Sequence, residues 1–284
     1  MAHEPPDEDE VYERALKEWE RTRELEKRRA NQSLEFSHGP VALVSVADLH
    51  LGGSGVDYPR LFAEAELIAS TPGMFLVLVG DLVDSFIVGR LVQHRLGTRL
   101  NITDEWALLR RYLRIVGLKV RASIGGNHDY WHTMLSGIDY LREVLARVAP
   151  DAIYDQDDAR ITVKVGSAEW PGRIRHKWAG NSIYNETHGP ERAAKWDQDF
   201  VWSIGAHTHR GGVARSFNHA GRSGWAMMCG SYKRVDKFAR QQGFPKPNNS
   251  AAVALVFDEE TGSMTGFDNL QMCAKFMREL YGGG

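Results

Sequence analysis

The chain has 284 residues, of which 43% are hydrophobic and 25% are charged, and its 35 Lys and Arg nearly balance its 37 Asp and Glu. This composition excludes a disordered chain, and the length is sufficient to bury a substantial core without disulfides or a structural metal. The two cysteines exclude a disulfide framework and predict free thiols in the cytoplasm, and the longest apolar runs fall short of the roughly 20 residues that a membrane-spanning helix needs.

A charged helix is predicted near the N-terminus. From Asp9 to about Ala30 the sequence is rich in Glu, Lys and Arg, contains no Gly or Pro, and carries a thin apolar stripe at helical spacing. Such a narrow stripe cannot form a core of its own. We therefore interpret residues 1–38 as a helical extension that stays solvated, docks on the main body, or contacts a partner or a second copy of the chain.

Strands and helices alternate in the next part of the chain. Apolar runs of strand length at Val41–Ala47, Met74–Val79 and Leu118–Ile124 alternate with helical patterns at Leu61–Ala69 and Trp106–Val116. This order predicts a right-handed α/β unit with a largely parallel sheet.

The second half of the sequence is richer in short strands. After a helix at Met134–Val148, the pattern predicts strands at Ile161–Val165, Glu169–Trp178, Phe200–Ile204, Gly224–Cys229 and Ala251–Phe257, and then a final helix at Leu270–Tyr281. No internal repeat divides this region. We therefore predict a single catalytic domain over residues 39–284.

Four predicted strands are followed by side chains of the types that bind metal ions. These residues are Asp48 and His50, Asp81, Asn127 and His128, and His207 and His209. In open α/β sheets such groups gather outside the carboxyl ends of the strands. Carboxylate, imidazole and amide donors suit divalent Mn, Fe, Zn, Co or Ni. They are numerous enough here for two cations about 3.5–4 Å apart.

The same residues resemble the calcineurin-like metallophosphoesterases, whose signature is D-x-H, G-D-x-x-D, G-N-H-D, a single histidine and G-H-x-H. The corresponding blocks are Asp48-Leu49-His50, Gly80-Asp81-Leu82-Val83-Asp84, Gly126-Asn127-His128-Asp129, a candidate His176, and Ala206-His207-Thr208-His209. The last block departs from the signature because Ala206 replaces a glycine. The resemblance covers about residues 41–232 and implies an α/β (α+β-like) fold, a four-layer α/β/β/α sandwich of two mixed β-sheets flanked by helices.

This resemblance implies a phosphoesterase that uses two divalent metal ions, with Mn favoured, to activate the water that attacks phosphorus. The implied ligands of one ion are Asp48, His50, Asp81 and His209, and those of the other are Asp81, Asn127, His176 and His207. Asp81 would then bridge the two ions. His128 would protonate the leaving oxygen or stabilise the phosphoryl charge, and Asp84 or Asp129 would orient His128 by a hydrogen bond.

The single histidine of the signature has two candidates. His176 ends a predicted strand, as the other ligands do, whereas His188 lies in a predicted loop before Gly189-Pro190. We favour His176, and His188 would then face the substrate or support the site. The histidines without such a motif, including His132, are predicted at the surface.

Basic residues follow the last motif. Residues 210–246 contain eight Lys and Arg against one Asp. These are Arg210, Arg215, Arg222, Lys233, Arg234, Lys237, Arg240 and Lys246, interleaved with Phe217, Trp225, Tyr232, Phe238 and Phe244. A second stretch contains Arg90, Arg95, Arg99, Arg110, Arg111 and Arg114.

This mixture favours a nucleic acid or nucleotide substrate, because cations screen phosphates and aromatic faces stack on bases. Alternatively, the cations form a solvated rim or pair with the N-terminal helix, and the aromatic residues pack in strands. A nuclease or nucleotide phosphodiesterase is therefore the leading hypothesis. The alternatives are a phosphoprotein phosphatase and a non-catalytic binding or assembly protein that keeps the fold.

Overall fold

The computed structural model describes residues 7–29, 32–87, 89, 99–180, 182–234 and 251–282. The α-helices within these residues are α1 (Glu8–Arg29), α2 (Tyr58–Ser70), α3 (Ile102–Val116), α4 (Asn127–Ser136), α5 (Tyr140–Val148), α6 (His188–Asp197) and α7 (Leu270–Gly282). The strands are β1 (Gln32–Phe36), β2 (Val41–Val46), β3 (Met74–Val79), β4 (Val120–Ile124), β5 (Ile153–Asp155), β6 (Asp158–Val165), β7 (Ala168–Arg175), β8 (Trp202–Gly205), β9 (Val213–His219), β10 (Arg222–Met228), β11 (Val253–Asp258) and β12 (Ser263–Phe267).

The strands form two six-stranded sheets. The first has the order β12-β11-β2-β3-β4-β5, and the second has the order β1-β6-β7-β8-β10-β9. In the first sheet β2 to β5 run parallel, and β11 pairs antiparallel with β2. The second sheet also mixes parallel and antiparallel pairs. The predicted sandwich of two mixed sheets flanked by helices is therefore confirmed.

Strand β2 shows why the sheets stack. All six of its residues are buried. Alternate side chains, such as Val44, pack in a cluster with Leu61 and Leu109 of the covering helices, whereas Leu43 packs with Trp202 of the second sheet. Because neighbouring side chains of a strand point to opposite faces, a continuous apolar run is what a strand between two layers requires.

The region after β4 differs from the predicted single helix over Met134–Val148. It forms two helices, and α4 begins earlier than predicted, at Asn127. Gly137, with φ of 71°, ends α4, and the Asp139 carboxylate accepts a hydrogen bond from the backbone N of Arg142 at the start of α5. The third motif therefore lies at a helix N-terminus as well as after a strand.

The N-terminal part combines an exposed helix with a strand of the sandwich. Helix α1 contacts the body through Arg29, whose Nε lies 2.8 Å from Oδ2 of the buried Asp155. Strand β1 lies within the stretch interpreted as the extension, yet it pairs in parallel with β6, Gln32 opposite Ile161. Cys229 and Cys273 are buried free thiols. Among the described helices, none is both long and apolar enough to traverse a bilayer.

Candidate metal centre

The motifs of both sheets meet at one edge of the sandwich. Asp48 and Asp81 follow β2 and β3, and Asn127 follows β4 at the start of α4. His176 and His207 follow β7 and β8 of the second sheet. The candidate ligands therefore come from strand ends that are distant in sequence and adjacent in space.

Five of the candidate ligands have a left-handed backbone. The φ angles are 50° at Asp48, 45° at His50, 53° at Asp81, 75° at His207 and 56° at His209. Such angles at residues other than glycine cost about 1–3 kcal/mol each and persist only where surrounding contacts maintain them. In the last motif the residues with a left-handed backbone are His207 and His209. The buried Ala206 before them occupies the position of the signature glycine.

The first group of donors consists of Asp48, His50 and His209. Oδ1 of Asp48 lies 2.9 Å from Nε2 of His209 and 3.7 Å from Nε2 of His50. The two ring nitrogens are 3.1 Å apart. Asp48 and His50 are buried, whereas the His209 side chain is 36% exposed, so the group opens to solvent beside His209.

The second group consists of Asp81, His176 and His207. Oδ2 of Asp81 lies 3.2 Å from Nε2 of His176, which is in turn 3.2 Å from Nδ1 of His207. A third group, His50, Asp81 and His128, lies between the other two, and the potential ligand atoms of each group lie within 4.8 Å of one another. Asp81 thus belongs to two groups.

The hydrogen bonds of the rings fit metal ligation. Nδ1 of His176 lies 2.7 Å from the backbone O of Val79 and carries the proton, since a carbonyl can only accept. When a metal ion replaces the second ring proton, Nε2 presents a lone pair on the side of Asp81, as in an imidazole that binds a metal and donates its other N–H to a carbonyl. The facing nitrogens of His50 and His209 must share a proton or a cation. These donors therefore suit borderline divalent ions.

The electrostatics of the site favour positive charge. Burial opposes ionisation of Asp48 and Asp81, but the neighbouring histidines outweigh it and hold the pKa of both carboxyls well below the usual range. Burial also opposes protonation of His50 and His176, yet the adjacent carboxylates raise their pKa values to about 9 and about 10. The pocket thus stabilises positive charge, whether protons or cations carry it.

Gly126 allows the third motif to approach Asp81. A Cβ added at Gly126 would lie only 2.2 Å from both the backbone N and Oδ1 of Asp81. The next residue, Asn127, is half-buried at the start of α4, and the backbone N of His128 donates to Oδ1 of Asp81 at 2.9 Å. Asn127 therefore lies between two residues that contact Asp81.

His128 is oriented by a backbone carbonyl. Its Nδ1 donates a hydrogen bond to the backbone O of Asp84. This corrects the expectation that a carboxylate of Asp84 or Asp129 orients the ring. Burial outweighs the attraction of Asp81 and lowers the pKa of His128 to about 4. The neutral ring therefore carries its proton on Nδ1, and its Nε2 lies 3.9 Å from Oδ2 of Asp81.

Asp129 joins the loops of the second and third motifs. Its Oδ1 accepts from the backbone N of Leu82 at 3.1 Å, and its Oδ2 accepts from the backbone N of Gly126 at 3.0 Å. Burial, together with the nearby Asp81, raises the pKa of Asp129 to about 7. Asp129 therefore fixes the separation of the loops after β3 and β4.

Lys233 is a residue of this region whose position the sequence pattern did not indicate. Its Nζ lies 2.6 Å from Oδ1 of Asp84 and 4.8 Å from the centre of the Phe86 ring. The same Oδ1 is 3.2 Å from Nδ1 of His50, in a geometry that forms no hydrogen bond. Ser231, two residues earlier, donates to the backbone O of Asp48 at 2.8 Å. Ser231 and Lys233 come soon after a buried strand, as the five motifs do. This position in the sequence is the signal that could have identified them.

The two candidates for the single histidine lie in different places. His176 is in the group with Asp81 and His207, whereas His188 is the first residue of α6, not part of a loop as expected. The segment before α6 is tied to the last motif, because Arg210 donates to the backbone O of Ser182 at 2.8 Å.

Several residues of the basic segment have partners within the protein. Arg222 donates to the backbone O of Phe200 and Arg234 lies 3.5 Å from Asp57, in addition to the contacts of Arg210 and Lys233. Three aromatic residues expected to stack on bases make other contacts within the protein. Phe217 packs against an apolar cluster, and the side chains of Trp225 and Tyr232 donate hydrogen bonds. Outside the described residues lie Arg90, Arg95, Lys237, Phe238, Arg240, Phe244 and Lys246.

The sequence model of the calcineurin-like phosphoesterases matches residues 42–211, more than half of the chain and all five motifs. The chain belongs to this family. No curated protein matches its sequence. Its similarity to solved structures is broad, with 65 matching chains.

One similar structure is a Staphylococcus aureus protein with the provisional name 5′-nucleotidase, at 13% identity and a TM-score of 0.47, matched over 85% of this chain and 58% of that one. The chain thus spans less than two thirds of that protein. Vacuolar protein sorting 29 of Cryptosporidium parvum matches at 16% identity and a TM-score of 0.39, over 81% and 99% of the two chains. Vps29 of Chaetomium thermophilum matches at 12% identity and 0.37, over 80% and 94%.

Proposed function

We propose that the chain hydrolyses phosphate esters with the aid of two divalent metal ions, of which Mn is favoured. The observation that carries the proposal is the pair of largely buried groups around Asp48 and Asp81, each with two imidazole donors at strand ends. Asp48, His50 and His209 would hold one ion, and Asp81, Asn127, His176 and His207 would hold the other, with Asp81 shared. When bound, the ions supply Lewis-acid activation of water and of the phosphoryl oxygens.

We assign to His128 the transfer of a proton to the leaving oxygen. Its Nδ1–H is bonded to the carbonyl of Asp84, so its Nε2 is the nitrogen that faces the reacting atoms. A new bond forms between phosphorus and the oxygen of water and the ester P–O bond breaks, while Nε2 of His128 accepts the proton that the water loses and passes it to the leaving oxygen. Asp129 and Asp84 keep the surrounding loops in place for this transfer.

The substrate class we favour is a phosphodiester of a nucleotide or nucleic acid, with a phosphomonoester such as a phosphoprotein as the alternative. Support comes from Arg110, Arg111 and Arg114, which lie exposed on α3. Affinity for single-stranded and duplex nucleic acid, measured as salt is raised, tests this assignment. An affinity that does not fall with rising salt contradicts a phosphate-binding surface.

The catalytic proposal is tested by a substrate panel with an Asn127→Ala variant. We expect wild type with Mn to hydrolyse bis-p-nitrophenyl phosphate and Asn127→Ala to lose most of this activity. Asn218→Ala, at an exposed position of β9, is the matched control and should retain it. Full activity in Asn127→Ala would show that the assigned centre is wrong.

We also propose that α1 contacts a partner or a second copy of the chain. It exposes Tyr12 by 64%, Trp19 by 55% and Leu25 by 48%. Deleting residues 1–28 while measuring hydrolysis and oligomeric state tests this role. If hydrolysis persists and the number of chains per particle decreases, α1 is an association element. An unchanged number of chains per particle contradicts contact between copies.

A further inference from the structure

A buried carboxylate, Glu105, lies behind the loop of the second motif. It belongs to the first turn of α3 and is only 1% exposed. Its Oε2 accepts from the backbone N of Ser85 at 3.1 Å and from Oγ of Ser85 at 2.9 Å. A charged group in such a place is costly unless hydrogen bonds compensate for its lost hydration. The two hydrogen bonds from Ser85 therefore help to hold Glu105 in this buried place.

The hydroxyl of Ser85 also joins this network to α4. Its Oγ is 2.7 Å from Nε2 of His132, and because the hydroxyl donates to the carboxylate, it accepts from the ring N–H. His132 is not at the surface as expected but is 6% exposed, with its ring 5.1 Å from that of Trp106 and 5.9 Å from that of Tyr140. The network thus links α3, the second motif loop and the helix that begins with the third motif.

The peptide between Asp84 and Ser85 connects the hydrogen bond with Glu105 to His128. Its N–H donates to Glu105, and its C=O accepts from Nδ1 of His128. Because a peptide is planar and its N–H and C=O point in opposite directions, fixing one group fixes the other. Ser85 also has a left-handed backbone, with φ of 33°, which persists only where contacts hold it.

The first motif loop is packed against the same carboxylate. A Cβ added at Gly52 would lie 2.2 Å from Cγ of Glu105. The backbone N of Gly52 donates to the hydroxyl of Tyr58 at 2.9 Å, which fixes that loop independently. Glu105 therefore has little freedom to move relative to either loop.

We infer that Glu105 is a positioning residue that acts through the Asp84–Ser85 peptide to set the orientation and tautomer of His128. The catalytic consequence rests on the proposed function, whereas the effect on the ring does not. With the peptide released, Nδ1 of His128 loses its fixed acceptor, and the proton distributes between the two ring nitrogens. Nε2 is then partly protonated and no longer aligned to accept the proton of the water and pass it to the leaving oxygen.

The test uses Glu105→Gln, which keeps the shape of the side chain, and Ser85→Ala, which removes the hydroxyl. Glu143→Gln, at an exposed position of α5, is the matched control. The ¹⁵N NMR signals of His128 in chelator-treated full-length protein report the tautomer. Hydrolysis of phenyl and p-nitrophenyl phosphate esters reports proton transfer, since the more basic phenolate needs it more.

We expect wild type and Glu143→Gln to show the Nδ1–H tautomer and both other variants to show a mixture. For the phenyl ester, kcat should fall about 10–100-fold in Glu105→Gln and Ser85→Ala. For the p-nitrophenyl ester it should fall less than about threefold, with KM within about twofold, because the weaker base leaves without a full proton. The ratio of the kcat losses for the two esters separates a positioning role from general damage to the site, because general damage slows hydrolysis of both esters equally.

Two results would overturn the inference. One is a wild-type tautomer of His128 in both variants, and the other is an equal loss for both esters. If the wild type hydrolyses neither ester with metal present, the proposed function fails, and the NMR result alone decides whether Glu105 positions the ring.

Discussion

Replacing Gly126 by alanine is a direct steric test of the assigned centre. The backbone of Gly126 has φ of −107° and ψ of 176°, which alanine adopts without strain, so the only change is the added methyl group. That methyl would lie 2.2 Å from Oδ1 and the backbone N of Asp81, and relieving the contact to about 3.0 Å requires a displacement of about 0.8 Å.

We expect Gly126→Ala to cost about 1–3 kcal/mol in the free energy of unfolding, as overpacked sites do. A displacement of about 1 Å at a reacting centre can lower the rate by about 100-fold. Because Asp81 belongs to two groups of donors, metal affinity should fall together with hydrolysis. Urea unfolding, calorimetric titration with Mn and turnover of bis-p-nitrophenyl phosphate measure the three effects.

Gly137→Ala, at the other end of α4, is the matched control. Gly137 has φ of 71°, and an added Cβ meets no heavy atom of the described residues within 4 Å. We expect a loss of about 1 kcal/mol in the free energy of unfolding, from the left-handed backbone alone, with metal binding unchanged. If Gly126→Ala binds Mn and hydrolyses like wild type, the placement of Asp81 at the centre is refuted.

Three further predictions concern charge, metal and the N-terminal helix. Lys233→Met should lower the free energy of unfolding by about 3 kcal/mol in urea, because it removes the buried partner of Asp84; a change below about 1 kcal/mol contradicts the importance of this ion pair. Adding Mn at about 100 times its Kd to chelator-treated protein should stabilise it by about 2.7 kcal/mol per site, seen as a higher Tm, and Asp48→Asn should remove the contribution of the site that Asp48 helps to form. Deleting residues 1–28, which leaves Arg29 and β1 in place, should leave kcat/KM unchanged; a large loss would link α1 to the site.

The sequence alone determined the family resemblance and much of the first sheet. Runs such as Val41–Val46 are buried on both faces, so their composition indicates a strand without knowledge of their neighbours. The edge strand β9 is not predicted by the sequence, since its partly exposed residues lack a strong apolar pattern. Helix α6 is not predicted by the sequence because His188-Gly189-Pro190 has the composition of a loop, although Pro is compatible with the first turn of a helix.

Tertiary structure alone decided how the site is supported. A strand-end motif shows which residue types are present, but hydrogen-bond partners depend on angles and distances that no local pattern encodes. Asp84 illustrates this, because its carboxylate pairs with Lys233, 149 residues away, and only its carbonyl serves His128. The burial of Glu105 and the approach of Gly126 to Asp81 likewise arise from packing between layers. Chemical identity is therefore local in the sequence, whereas orientation is a property of the whole fold.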